Sequence, residues 1–290
     1  MFIALSDAQM LAWGWRIPFI LGAPLGLIGL YLRRHLDETP IFENEIEENE
    51  EEPESFVSII KNHKKDIILC FITVAFFNIT NYMLLSYMPS YLDEVIGIST
   101  TVSTILITSV MVVMVPLAFL FGRLSDKIGN KKVVLFGSFG LTAFSLLAFY
   151  FMGMNQLMFV SFGILILGFF LSTYEGSMPS LLPSIFFTDV RYRTLAVTFN
   201  VSVSIFGGTT PLVSTWLVHV TQNPLAPAYY LTAVSLIGFI TILVLFETTS
   251  GKALKGSYPT VSNEKEFNHV VKNAEEALWW KEQELQIKEK

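Results

Sequence analysis

Cysteine, histidine and charge are all scarce in this sequence. Cys70 is alone among 290 residues, so no disulfide can form within the chain. His35, His63, His219 and His269 are scattered, and no nucleophile–base pair or cluster with metal-ligand spacing stands out. No glycine-rich phosphate-binding loop is present. An enzyme, a bound metal and a cofactor are therefore not expected, and ATP-driven chemistry has no support. Charged residues make up only 15% of positions, against about 25% in an ordinary soluble domain. The net charge of −6 comes largely from one acidic run, Glu43 to Glu54, which reads as a solvated loop, and a nucleic-acid partner is not expected.

What replaces charge is apolar length. Hydrophobic residues make up 52% of the chain and mean hydropathy is +0.53. Ile67 to Leu92, Val95 to Gly122, Val133 to Tyr174 and Thr194 to Phe246 each lack Asp, Glu, Lys and Arg. A helix of about 20 apolar residues crosses the hydrocarbon core of a bilayer. The first two stretches hold one span each. The last two hold two spans each, divided at Met154-Asn155-Gln156 and at Thr221-Gln222-Asn223-Pro224. With Trp13 to Leu32 the spans fall near 13–32, 67–91, 103–121, 133–151, 157–182, 194–219 and 228–246. Backbone groups in lipid must bond internally, so the spans should be helices and the fold class all-α, polytopic in a lipid bilayer.

Basic residues set the expected orientation. Arg33, Arg34, Lys61, Lys64 and Lys65 lie between spans one and two, Arg123, Lys127, Lys131 and Lys132 between three and four, and Arg191 and Arg193 between five and six. The alternate connections, 92–102, 152–156 and 220–227, contain neither Lys nor Arg. The basic loops and the C-terminus are therefore expected in the cytoplasm, with Arg16 the one exception. Residues 1–32 read as the end of one bundle, 33–66 as an acidic central loop, 67–246 as a six-helix bundle and 247–290 as a hydrophilic tail. The tail carries helical spacing over 264–290 and a Trp279-Trp280 pair.

Two sets of motifs then point to a family. Gly122-Arg123-Leu124-Ser125-Asp126-Lys127-Ile128-Gly129-Asn130-Lys131-Lys132, between spans three and four, resembles the cytoplasmic loop motif of the major facilitator superfamily. In it Gly122 would let helix ends approach, Asp126 would accept from helix amides, Gly129 would permit a tight turn, and Lys132 would face the cytoplasm. Asn130 stands where that family usually has Arg. Trp13 to Phe19, Tyr31 to Arg34 and Glu38 to Phe42 resemble the metabolite:proton symporter branch. Tyr82 to Leu92, Val190 to Tyr192, Phe206 to Leu212 and Pro227 to Leu231 are similar to its proline/betaine-transporting members, as are Glu247-Thr248 and Leu254 to Gly256. Phe187 and Arg193 depart from that pattern.

The resemblance implies a twelve-helix secondary transporter with alternating access, of which this chain holds helices six to twelve, the amino-terminal bundle being absent from it. The implied activity is symport of a proton with a small zwitterionic solute such as proline or glycine betaine, across the cell membrane. The alternatives are another small metabolite such as a carboxylate, or a membrane fragment that does not transport. Spans two and five would line the central cavity. Asn78, Asn81 and Tyr82 stand at i, i+3 and i+4 and share one helix face, where they could bind a carboxylate. Tyr82, Tyr87 and Tyr174 are candidate walls for a quaternary ammonium. Glu175 is the one carboxylate in span five. A charge at membrane depth usually faces a cavity, pairs or relays protons, which makes it the candidate for proton coupling. The gate motif, Gly122, Arg123, Asp126, Gly129 and Lys132, would act on conformational exchange.

Overall fold

The structure is a computed structural model that describes residues 7–35, 60–61, 64–186 and 188–245. The acidic run, the Glu38 to Phe42 motif, His63, Phe187, and the tail with its 264–290 helix and Glu247-Thr248 and Leu254 to Gly256 motifs lie outside the described residues. The chain forms two compact units, Met1–Pro53 and Glu54–Lys290. Among the described residues, seven helices are long and apolar enough to cross a membrane.

In the first unit a short helix, Asp7–Ala12, and a 3-10 turn, Gly14–Arg16, lead into α1, Ile17–His35. Arg16, the exception to the charge pattern, is held locally. Its guanidinium lies over the Trp15 ring at 4.5 Å and donates to the Ala12 carbonyl at 2.6 Å.

The second unit holds six helices. The α2 helix runs over Lys64–Glu94, α3 over Thr100–Ile128, α4 over Asn130–Gly153 and α5 over Leu157–Leu181. The α6 helix is built from Thr188–Ser202, Val203–Gly207 and Gly208–Thr221, and α7 covers Ala226–Leu245. The polar breaks lie where the sequence places them. Asn155 and Gln222 both take a φ of 52°, and each ends its helix. Gly129, at φ 94°, joins α3 to α4 as a single residue, a conformation that favours glycine.

Two features have no counterpart in the hydropathy pattern. Met83–Tyr87 in α2 and Val203–Gly207 in α6 are π-helical turns. Pro89 and Pro211 follow them. A proline ring clashes with the carbonyl four residues back and offers it no N–H. Those carbonyls belong to Leu85 and Gly207, both inside the widened turns, where the ladder shifts to i→i+5.

Close packing comes from small residues, as expected for helices with no hydrophobic drive between them. The α5 helix is central, packed mainly on α4 and α3, while α7 packs on α4 and α2. On the α3 seam, a Cβ added to Gly176 would lie 2.3 Å from the Ala118 carbonyl oxygen and 2.7 Å from the Gly122 amide. Two turns toward the N-terminus, a Cβ on Gly168 would meet Val110 at 2.7 Å. On the α4 seam, a Cβ on Gly163 would come within 2.4 Å of the Ala148 carbonyl.

Candidate functional site

Glu175 sits on the half of α5 where three neighbouring helices converge. Its Oε1 accepts a hydrogen bond from Asn81 Nδ2 of α2 at 2.5 Å. The next residue, Gly176, is pressed against the backbone of α3 at Gly122. Ser180 donates to Oδ1 of Asn130, the first residue of α4, at 3.0 Å. Within six residues α5 thus touches α2, α3 and α4, and two of the three contacts fall on the loop motif.

Glu175 also lines a cavity of about 450 Å³ between α2, α5 and α6. The α5 wall is Glu175, Met178, Pro179 and Leu182, spaced i, i+3, i+4 and i+7. The α6 wall is Tyr192, Leu195, Ala196, Phe199 and Asn200, with the same stripe extended to i+8, and Phe77 closes the α2 side. The lining is mostly apolar. Asn200 uses its amide on the Ala196 carbonyl at 2.7 Å, so Glu175 supplies the one carboxylate. Arg191 donates from Nε to the Phe186 carbonyl at 3.3 Å, which ties the start of α6 to the segment that follows α5.

The structure separates the other expected residues. Asn78 shares a helix face with Asn81, yet it is buried and donates to its own helix at the Val74 carbonyl, 2.8 Å away. It does not reach the cavity. Tyr174 also lies outside this lining. It has no exposed surface, packs edge-on against Phe76 with ring centres 4.9 Å apart, and stacks behind Phe77. It supports the wall without being part of it, because the position before Glu175 on α5 points about 100° away. Tyr82 lies half-buried on the π turn of α6, where a Cβ on Gly207 would come within 2.8 Å of its ring. Tyr87 lines a different cavity, at the C-terminal ends of α2 and α6.

In the loop motif a Cβ on Gly122 would be tight, 3.2 Å from the Gly176 carbonyl oxygen, and the positive φ of Gly129 disfavours a side chain. Ser125 donates to the Gly122 carbonyl at 2.7 Å. Arg123 lays its guanidinium over Phe119 at 4.6 Å, and Asp126 and Lys132 are exposed.

Phe77, Tyr192, Phe199 and Asn200 were not among the expected site residues. The stripe at 192, 195, 196, 199 and 200 was present in the sequence, but it reads equally as a packing face.

Comparison with known proteins decides the family. The model described as Major Facilitator Superfamily matches residues 3–186 and, in an overlapping second match, 92–280. The chain belongs to the major facilitator superfamily. It is an all-α polytopic membrane protein, as its seven membrane-length helices require. It is 58% identical over 276 residues to a "Putative proline/betaine transporter" of Staphylococcus haemolyticus, a match covering 95% of this chain and 59% of that protein. A protein of the same name from Staphylococcus aureus (strain COL) is 56% identical over 277 residues, with the same coverage. The "Proline/betaine transporter" of Escherichia coli is 37% identical over 275 residues, covering 92% of this chain and 55% of that protein. The chain therefore spans somewhat more than half the length of the curated relatives it matches.

Proposed function

We propose that this chain is part of a secondary transporter that carries proline, glycine betaine or a similar compatible solute into the cell together with a proton. One observation supports the coupling above all. A single carboxylate, Glu175, lines a mostly apolar cavity and is held by Asn81 from a second helix. Such a group is costly at membrane depth and needs a purpose, and proton exchange as the cavity opens and closes supplies one. The solute class follows the names of the relatives, and osmoprotection would follow from the solute.

Alternating access rocks two bundles around a shared site. On this reading α2 to α7 form one bundle, α1 ends the other, and the remaining helices of that other bundle complete the cavity. The basic loops and the C-terminus face the cytoplasm of a plasma-membrane protein, by the distribution of Lys and Arg. Reporter fusions at 97, 154 and 223 should report the outside and fusions at 128 and 190 the inside, and an inverted pattern would overturn the orientation. The functional test is uptake of labelled glycine betaine by a full-length transporter carrying this sequence in proteoliposomes. An inward proton gradient should drive accumulation that excess proline suppresses. Accumulation that survives collapse of the gradient would remove proton coupling.

A further inference from the structure

We propose that the cavity at the C-terminal ends of α2 and α6 is a second solute site, one that binds organic ammonium groups. It extends the transport reading without sharing any residue with the Glu175 cavity. Its volume is about 430 Å³. The α2 wall is Tyr87, Tyr91, Glu94 and Val95, and the α6 wall includes Thr215, Val218 and His219, each set spaced as one helix face.

Three features favour a cation. The Glu94 carboxylate stands in the lining, and no Lys or Arg does. The helices arrive by their C-terminal ends, which carry negative partial charge from unsatisfied carbonyls. At α6 the Gln222 amide covers one of these, donating to the His219 carbonyl at 2.6 Å. The third feature is Tyr87. Its side chain is 3% exposed and lines the cavity beside Glu94. The adjacent Tyr91 phenol donates to the Pro224 carbonyl at 2.9 Å and so fixes the α6–α7 turn as a wall.

The type of cation follows from the donors. Among the described residues no group of three or more His, Cys, Asp and Glu side chains could hold a metal ion. Tyrosine rings in the lining beside a carboxylate suit a methylated ammonium instead, which takes little from hydrogen bonds and much from aromatic contact and charge. The ligand class is a quaternary or tertiary ammonium solute.

The test uses thiol protection. Thr215→Cys places an exposed thiol in the cavity, and the native Cys70 is fully buried, so background reaction with N-ethylmaleimide is low. Choline and glycine betaine should slow labelling of the Thr215→Cys chain in membranes, and 3,3-dimethylbutan-1-ol, the uncharged isostere of choline, should not. Adding Glu94→Gln should weaken choline protection by about fivefold, as expected for losing a surface-level charge contact to an onium group, and Glu94→Asp should keep it. Equal protection by the uncharged isostere, or protection untouched by Glu94→Gln, would overturn the site. Betaine uptake measured with the same variants in the full-length transporter separates the two proposals. Protection without uptake refutes the transport reading and leaves this site standing, and uptake without protection refutes this site alone.

Discussion

The cavities beside Glu175 and beside Tyr87 are nearly equal in volume and opposite in construction. The one beside Glu175 is apolar, with a single carboxylate tied to a neighbouring helix by Asn81. The one beside Tyr87 is rich in hydroxyl, imidazole and phenol groups, and its carboxylate, Glu94, is exposed. A charge in water costs little to keep and gives little when paired. A charge inside an apolar wall is expensive, so its partner matters more. On the two proposals above, the carboxylates do different work: Glu94 would attract a cation, and Glu175 would respond to its surroundings.

The largest expected effect tests the frame around Glu175. Gly176→Ala would drive a methyl group into the backbone of α3, where neither the Ala118 carbonyl nor the Gly122 amide can rotate away. We expect a loss of about 3 kcal/mol, the upper range for overpacking, seen as a lowered unfolding temperature in detergent. Gly208→Ala is the control: no atom lies within 4 Å of the added Cβ, and the residue is helical. It should be neutral or slightly stabilising. Equal effects would show that the α3–α5 seam is looser than the geometry states.

The next effect falls on the Asn81–Glu175 bond. Asn81→Leu removes the donor and should cost about 1–2 kcal/mol. It should do so only while Glu175 is present. In a Glu175→Leu background, which has no acceptor, the loss should shrink, and a double-mutant cycle measured by denaturation checks it. Fully additive losses would mean that the two side chains act independently. In the other cavity, Tyr91→Phe removes one hydrogen bond, to the Pro224 carbonyl, and should cost about 1 kcal/mol. The smallest effect is Asn130→Ala. It breaks a bond to an exposed serine, so about 0.5 kcal/mol or less is expected by the same thermal measurement.

Hydropathy alone placed the helices well, because length and absence of charge are one-dimensional properties. The breaks at Asn155 and Gln222 were legible for the same reason. The π turns were not. Five prolines stand beyond the first turn of membrane-length helices, at positions 24, 89, 116, 179 and 211, and only Pro89 and Pro211 follow a π turn. A proline announces that a carbonyl loses its donor, and the surrounding packing decides how the helix absorbs the loss. The site was half legible. Glu175 stood out as a lone charge, and Asn81 as a polar residue in an apolar span. That they bond to each other, across 94 positions, depends on how α2 rotates against α5. Asn78 illustrates the limit: one helix face is broad enough to hold both a cavity-side residue and one that bonds only to its own backbone.

The central claim is that Glu175 responds to protons while Asn81 holds it. It is tested most directly by Glu175→Gln in the full-length transporter, with counterflow and proton-driven uptake measured on one preparation. Glutamine keeps the shape and a hydrogen-bonding head and cannot titrate. The account predicts that the variant still exchanges labelled substrate for unlabelled, and no longer accumulates it when a proton gradient is the only driving force. Accumulation at the wild-type level in the glutamine variant would contradict it.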